Sequence, residues 1–94
     1  MNFGIREEIY IKIKEITSKY EYEFFIFGSR ARGDYRKNSD IDIAIYGNVS
    51  NEDETKIRNE FDKIDMEYMV DIVFIEQINN EELIQNIKNE GVKI

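Results

Sequence analysis

The stretch that decides the fold is Gly28–Asp42, which reads GSRARGDYRKNSDID. It lies between two apolar runs, residues 22–27 (YEFFIF) and 40–46 (DIDIAIY), which predict two β-strands because they are rich in aromatic and β-branched residues. Side chains alternate along a strand, so Asp40 and Asp42 share one face of the second strand. The stretch therefore predicts a strand, an arginine-rich loop and a second strand that begins with two carboxylates.

A third predicted strand carries a further acid. Residues 69–75 read MVDIVFI, and the one polar residue among them is Asp71, whose carboxylate is costly to bury without a partner. If this strand lies beside the second in suitable register, Asp71 joins Asp40 and Asp42. Converging carboxylates repel one another, and their hard oxygen atoms suit Mg²⁺ or Mn²⁺. Taken alone, the Asp40–Asp42 pair is more typical of a solvated strand start, whereas Asp71 is harder to explain without a ligand.

The composition excludes several kinds of chemistry. The 94 residues include no cysteine and no histidine, so disulfides, thiolate or imidazole metal sites and the usual general base are absent. Catalysis would have to rely on carboxylates, hydroxyls, lysine, arginine and a hard metal ion. The formal net charge of −7 disfavours direct binding of nucleic acid. The local concentration of cations in the arginine-rich loop instead suits a small anionic ligand.

That loop supplies candidate phosphate-binding groups. Gly28 ends a strand and lets a ligand approach the backbone, while Ser29 offers a hydroxyl and an N–H to phosphate oxygens. The guanidinium groups of Arg30 and Arg32 can make forked contacts with phosphate. Each feature also has an ordinary interpretation, because Gly-Ser is a common turn dipeptide and a solvated loop can be balanced by Asp34. Gly28-Ser29 gains meaning only from its position after a strand and before the acidic pair, and both interpretations of the arginines remain open.

Three further segments predict amphipathic helices. Isoleucines recur at steps of four, four and three within residues 4–19. A second helix begins at Ser50 or Asn51, where an acidic residue follows three positions later as in a capping box. A third begins at Asn79 or Asn80. Both of these helices show an apolar stripe that can cover one face of a sheet.

The order of these elements, α-β-β-α-β-α, predicts a small mixed β-sheet with packed helices, an α+β fold in one domain over residues 1–94. The link between the first two strands is too short for a crossover helix, so we expect antiparallel pairing there. A helix joins the second and third strands, which permits a parallel crossover. The first ten residues lack the apolar core of a signal peptide, and no segment reaches the length of a membrane span, so we expect a cytoplasmic protein.

The spacing of the polar residues resembles a known signature. Gly28-Ser29, ten residues and then Asp40-x-Asp42, with Asp71 on a later strand, is similar to the pattern of the nucleotidyltransferase superfamily that includes DNA polymerase beta. The short chain and its GSRARG segment resemble the minimal nucleotidyltransferases, or MNT domains, of MntA-like antitoxins. Those proteins occur beside HEPN-domain toxins in prokaryotic toxin–antitoxin pairs. The resemblance covers nearly the whole chain and implies the nucleotidyltransferase fold.

The resemblance also implies roles for individual residues. It implies metal-binding and catalytic roles for three aspartates: Asp40, Asp42 and Asp71. It implies that a nucleoside triphosphate binds at Gly28 and Ser29, and that Arg30 is a candidate contact of the triphosphate. The loop chemistry described above adds Arg32 as a further candidate contact. The implied cofactor is Mg²⁺ or Mn²⁺, and the implied substrate is ATP. The implied product is AMP attached to a tyrosine hydroxyl of a HEPN toxin, which would make the protein part of a hetero-oligomer.

Two other functions remain compatible with the sequence. The chain can be a non-catalytic antitoxin that neutralises a HEPN toxin by binding it. It can also be a subunit of a small-molecule nucleotidyltransferase, such as an antibiotic-modifying enzyme. The intact set of three aspartates favours an enzyme over a silent binding module, and an acidic body suits a basic protein partner.

Overall fold

The computed structural model describes residues 2–94, in which a four-stranded sheet carries helices on both faces. In chain order the elements are α1 (Glu7–Ser18), β1 (Glu23–Phe27), α2 (Ser29–Arg32), β2 (Ile41–Tyr46), α3 (Asn51–Asp62), β3 (Val70–Phe74), a 3₁₀ turn (Ile75–Gln77), α4 (Glu81–Glu90) and β4 (Val92–Lys93). The predicted α+β fold is confirmed, with every predicted strand and helix present. Within residues 2–94, no helix combines the length and the apolar character that crossing a bilayer requires.

The strands follow the order β3-β2-β1-β4 across the sheet. As predicted, β1 pairs antiparallel with β2, and β2 pairs parallel with β3. The central position of β2 explains its run of isoleucines, which are buried among neighbouring strands and helices. β1 is also an interior strand, because β4 pairs with its outer edge through Phe25–Lys93 and Ile26–Val92.

The main hydrophobic core lies between one face of the sheet and the helices α1 and α3. Its members come from every third or fourth residue of the helices and every second residue of the strands, as the sequence periodicity predicted. The most deeply buried are Ile9, Ile13, Phe24, Ile26, Ile41, Ile43, Ile45, Ile57 and Phe61. Since each such side chain contributes about 1.5–3 kcal/mol on burial, this face supplies most of the stability of the domain.

A smaller core lies on the opposite face, where α4 and the 3₁₀ turn pack on the sheet. Its buried members are Phe27, Ala44, Ile75 and Ile87. Asp42 lies two residues before Ala44 on β2, so its side chain projects from this same face. The candidate site therefore shares a face with α4, at the end of the sheet where β2 begins.

Two elements of the structure were not predicted. α2 is a single turn of four residues that lies inside the stretch interpreted as a loop, and β4 has only two residues. The first helix was also predicted to begin too early, at residue 4. It begins at Glu7 because Phe3 and Gly4 have φ values of 60° and 71°, which a right-handed helix does not allow.

The two helix starts left open by the sequence are resolved by their capping hydrogen bonds. The Ser50 side chain accepts a hydrogen bond from the backbone N–H of Asp53 at 3.1 Å, so Ser50 is the N-cap of α3. Asn80 accepts one from the N–H of Leu83 at 3.1 Å and caps α4. Each cap satisfies one of the free N–H groups at a helix start.

Candidate active site

The parallel pairing of β2 and β3 places Asp42 directly beside Asp71, because the two residues are Cα partners in the register. Side chains of registered partners project from the same face of a sheet. Both carboxylates are therefore on the α4 side, near the ends at which β2 and β3 begin. Asp40 immediately precedes β2, so the structure brings the three predicted aspartates to one end of the sheet.

The surroundings of Asp42 make its negative charge unfavourable. Asp42 is half-buried, whereas Asp40 and Asp71 are exposed. Burial raises the pKa of the Asp42 carboxyl to about 6, and the nearby charges of Asp71 and Asp40 add to that increase. The guanidinium groups of Arg32 and Arg30 offset part of it. A cation among these carboxylates would relieve their repulsion.

The carboxylate groups of the three aspartates are suitable ligands for a hard cation, but in this conformation they do not converge on one point. None of the ion pairs among residues 2–94 involves Asp40, Asp42 or Asp71. In the same residues, no three acidic side chains lie close enough together to form a ready metal site. The side chains of Asp40 and Asp71 are exposed, and we expect a bound cation to draw them toward Asp42 by rotation between staggered rotamers. Carboxylate oxygens are ligands that Mg²⁺ and Mn²⁺ prefer, so the donor set fits these ions.

Gly28 lies against the Asp42 carboxylate. A Cβ atom at residue 28 would stand 2.3 Å from Oδ2 of Asp42, so any side chain there would displace the carboxylate. The backbone of Gly28, with φ 73° and ψ −153°, lies in a region that is essentially restricted to glycine. Ser29 follows as the first residue of α2. Both predicted phosphate-binding residues therefore lie next to the acidic group, and their contact with phosphate stays a prediction.

Arg32 bridges two elements beside this group. Its guanidinium forms ion pairs with Asp34 at 3.2 Å and with Glu90 of α4 at 3.0 Å. Exposed ion pairs contribute little to stability, so this side chain can exchange them for a phosphate. Its charge also lowers the pKa of Asp42, which places Arg32 within electrostatic reach of the carboxylates.

The geometry of Arg30 argues against its predicted contact with a triphosphate. Only 2% of its surface is exposed, and its guanidinium donates hydrogen bonds to the backbone carbonyls of Phe3, Lys37 and Ser39. A guanidinium engaged in this way is not free to reach a ligand. Sequence reasoning missed this role because the acceptors are carbonyl groups, which every residue has, and only the tertiary structure brings them together.

Comparisons with known proteins agree with this geometry. The family model described as polymerase beta nucleotidyltransferase matches residues 11–94. A crystal structure of a toxin–antitoxin with AMP-PNP contains a chain that superposes with a TM-score of 0.68 at 23% identity, over 88% of this chain and 69% of that one. A candidate nucleotidyltransferase from Sulfolobus solfataricus gives a TM-score of 0.51 at 26% identity, over 98% and 78% of the two chains.

None of the curated protein sequences matches this chain significantly. The solved structures nevertheless share its fold along most of its length, and the family model covers all but the first ten residues. The predicted superfamily and the predicted nucleotidyltransferase fold are therefore confirmed.

Proposed function

Because the chain belongs to the polymerase beta nucleotidyltransferase family, we propose that it is a Mg²⁺-dependent protein adenylyltransferase. In this proposal it acts as an antitoxin by transferring AMP from ATP to a tyrosine of a HEPN-domain toxin. The observation that carries the proposal is the side-by-side placement of Asp42 and Asp71 on neighbouring strands, next to a glycine whose backbone the Asp42 carboxylate approaches closely.

The aspartates have distinct positions that suit distinct roles. Asp40, Asp42 and Asp71 would hold Mg²⁺, which supplies charge neutralisation for in-line transfer at a phosphorus atom. β3 is an edge strand and Asp71 is exposed, so a hydroxyl of a large acceptor can approach Asp71 from outside the sheet. We assign to Asp71 the further role of assisting deprotonation of that hydroxyl.

The triphosphate is assigned to the start of α2. Gly28 has no side chain, so the Asp42 carboxylate lies directly against its backbone, and phosphate oxygens would approach beside that contact. Ser29 offers its hydroxyl and N–H, and the exposed guanidinium of Arg32 offers a forked contact. The α-phosphorus would then lie between these groups and the carboxylates, with pyrophosphate leaving on the side of α2.

Two observations support a toxin as partner and an adenine nucleotide as substrate. A toxin–antitoxin structure that contains AMP-PNP includes a chain of the same fold. The net charge of −7 suits association with a basic protein surface, because complementary charge accelerates encounter. A HEPN toxin with a positively charged docking surface would be consistent with both observations.

A second candidate is an antitoxin that neutralises its toxin by binding alone. The observation that favours it is the spread of the carboxylates, which do not form a ready metal site within residues 2–94. A third candidate, a small-molecule transferase subunit, would require an acceptor other than protein. Transfer of a labelled nucleotide to the toxin separates these candidates.

The test uses a HEPN-domain toxin, should the neighbouring gene encode one, together with Mg²⁺ and ATP labelled on either the α- or the γ-phosphate. We expect the α-label to join the toxin and the γ-label to leave with pyrophosphate. Asp42→Asn should abolish labelling, whereas Asp62→Asn, which removes an exposed carboxylate at the end of α3, should leave it unchanged. A stable complex without label would favour binding alone, and transfer of the γ-label would contradict nucleotidyl transfer.

A further inference from the structure

Arg30 is the buried charged residue within residues 2–94, and its environment is unusual for a cation. Burying a charge without compensation is strongly unfavourable, yet none of the ion pairs among residues 2–94 involves Arg30. Backbone carbonyl oxygens compensate the charge instead. The chain therefore places a cation where it ties backbone segments together.

Arg30 ties the N-terminal turn to the segment that precedes Asp40. Nη1 of Arg30 donates to the carbonyl of Phe3 at 3.0 Å, in the N-terminal turn. Nε and Nη2 both donate to the carbonyl of Ser39, at 3.1 and 2.8 Å, and Nη2 also reaches the carbonyl of Lys37 at 3.3 Å. Ser39 is the residue before Asp40. Because guanidinium donors form a rigid planar fork, this contact fixes the peptide that leads into the aspartates of β2.

Two tyrosine rings hold the guanidinium from the sides. Its central carbon lies 5.0 Å from the ring centroid of Tyr35 and 4.8 Å from that of Tyr68, distances at which cation–π attraction is favourable. Tyr68 lies two residues before β3, the strand of Asp71, and its hydroxyl accepts a hydrogen bond from the N–H of Arg6 at 3.1 Å. The cluster therefore reaches the beginnings of both strands that carry the carboxylates.

The N-terminal turn depends on the same cluster. Phe3 has a φ of 60°, which phenylalanine rarely adopts, and its side chain is buried. At Gly4 an added Cβ atom would stand 2.2 Å from the ring of Tyr35. A residue stays in an unfavourable backbone conformation only when the packing around it is tight enough to hold it there. The turn, Tyr35 and Arg30 thus form one packed unit.

From these contacts we propose that Arg30 is a positioning residue: it orients the segment that leads into Asp40 and Asp42 so that the carboxylates can share a metal ion. The metal part of this inference rests on the proposed function. The competing hypothesis is that Arg30 binds the triphosphate, and the two hypotheses predict different measurements in the absence of nucleotide.

The test compares Arg30→Lys with the control Arg36→Lys. Arg30→Lys keeps the positive charge but removes the planar guanidinium. Arg36→Lys makes the same change at an exposed residue of the segment between β1 and β2. Hydrogen exchange of residues 2–6 and 34–40 is measured in the metal-free proteins, with β2 as internal reference, and Mn²⁺ affinity is measured by electron paramagnetic resonance without nucleotide. We expect Arg30→Lys to speed exchange in both segments at least tenfold and to weaken Mn²⁺ binding at least fivefold. Arg36→Lys should match the wild type.

Three results would overturn the inference. Unchanged exchange in Arg30→Lys would show that the fork does not hold these segments. Faster exchange with unchanged Mn²⁺ affinity would make Arg30 a purely structural residue. Weaker ATP binding with unchanged exchange and unchanged Mn²⁺ affinity would identify it as a nucleotide ligand.

Two further measurements distinguish a failure of this inference from a failure of the proposed function and from misfolding of Arg30→Lys. A wild-type protein that binds no Mn²⁺ would contradict the proposed function and, with it, the metal part of the inference. If Arg30→Lys does not fold, Tyr35→Leu removes one of the two stacked rings at a site that is 37% exposed. That variant should show the same two changes to a smaller degree, and a wild-type result in it would contradict the inference.

Discussion

Among the individual residues, Asp42 lies in the least favourable environment for its charge. Its pKa is about 6 in the folded protein against an ordinary value of 3.8, chiefly because the carboxyl is half-buried. Between these pH values the folded protein binds more protons at Asp42 than the unfolded chain does. The contribution of Asp42 to the stability of the metal-free protein therefore falls as the pH rises from about 4 to 6.

We accordingly expect Asp42→Asn to raise the free energy of unfolding at pH 7.5 by about 1 kcal/mol, since solvent screens part of the full effect. The advantage should shrink as the pH falls from about 6 to about 4, because Asp42 becomes protonated in the folded protein over this range. Urea unfolding in EDTA at pH 7.5 and at pH 3.5 measures both values, with Asp62→Asn as the control that removes an exposed carboxylate. A variant that is less stable than the wild type at pH 7.5 would refute the account of Asp42.

Gly28 offers a second test at this scale. Gly28→Ala introduces a Cβ atom that would meet the Asp42 carboxylate at 2.3 Å. We expect about 1–2 kcal/mol of lost stability from the positive φ, and at least a tenfold loss of transfer because the carboxylate must move. Steady-state rates and thermal unfolding measure the two effects.

The matched control for that substitution is Gly33→Ala. Gly33 also has a positive φ, of 94°, but among residues 2–94 no atom beyond its two chain neighbours lies within 4 Å of a Cβ atom built there. This variant should lose stability through backbone strain and keep its transfer rate. Equal losses of transfer in both variants would show that the contact with Asp42 is not the cause.

The sequence predicted that Asp71 would lie beside Asp42, but it did not predict that Arg30 would be buried. The alternation of side chains in a strand places Asp40 and Asp42 on one face, and the lone acid in an apolar strand singles out Asp71. Nothing local distinguishes Arg30 from Arg32. The difference arises because one side chain turns inward to carbonyls from separate segments and the other remains at the surface.

At the scale of elements, the N-cap of α3 can be altered without touching the site. Ser50→Ala removes the hydrogen bond to the N–H of Asp53, and such caps are worth about 1 kcal/mol. We expect a loss of that size in chemical unfolding and no change in transfer. Ser50→Asp, which keeps an acceptor at the cap, should retain the stability of the wild type. A loss of transfer in Ser50→Ala would mean that α3 influences the site.

Hydrophobic periodicity predicted three strands and three helices, because each of these elements is long enough to show its period. The connections between the strands indicated antiparallel pairing of β1 with β2 and permitted parallel pairing of β2 with β3, and both pairings are observed. The periodicity did not predict α2, a single turn that lies between Gly28 and Gly33. It did not predict β4 either, whose two residues form a strand only because the edge of β1 is available to pair with them. Short elements of this kind are set by tertiary structure.

At the scale of the whole molecule, ligand binding should be visible as increased stability. A ligand that binds only the folded state at a hundred times its Kd adds about 2.7 kcal/mol. In a domain of this size, Mg²⁺ with a non-hydrolysable ATP analogue should therefore raise Tm by at least about 5 °C. The measurement is a thermal melt with and without both ligands. Asp42→Asn should show little or no increase in Tm. An increase equal to that of the wild type would show that nucleotide binding does not depend on the Asp42 carboxylate.

The most direct test of the central claim is the intact mass of the HEPN protein after incubation with this chain, ATP and Mg²⁺. The account predicts a gain of one or more AMP units with the wild type and with Asp62→Asn, and no gain with Asp42→Asn. An unchanged mass in a stable complex, or the same gain with Asp42→Asn, would contradict a carboxylate-dependent transfer of AMP.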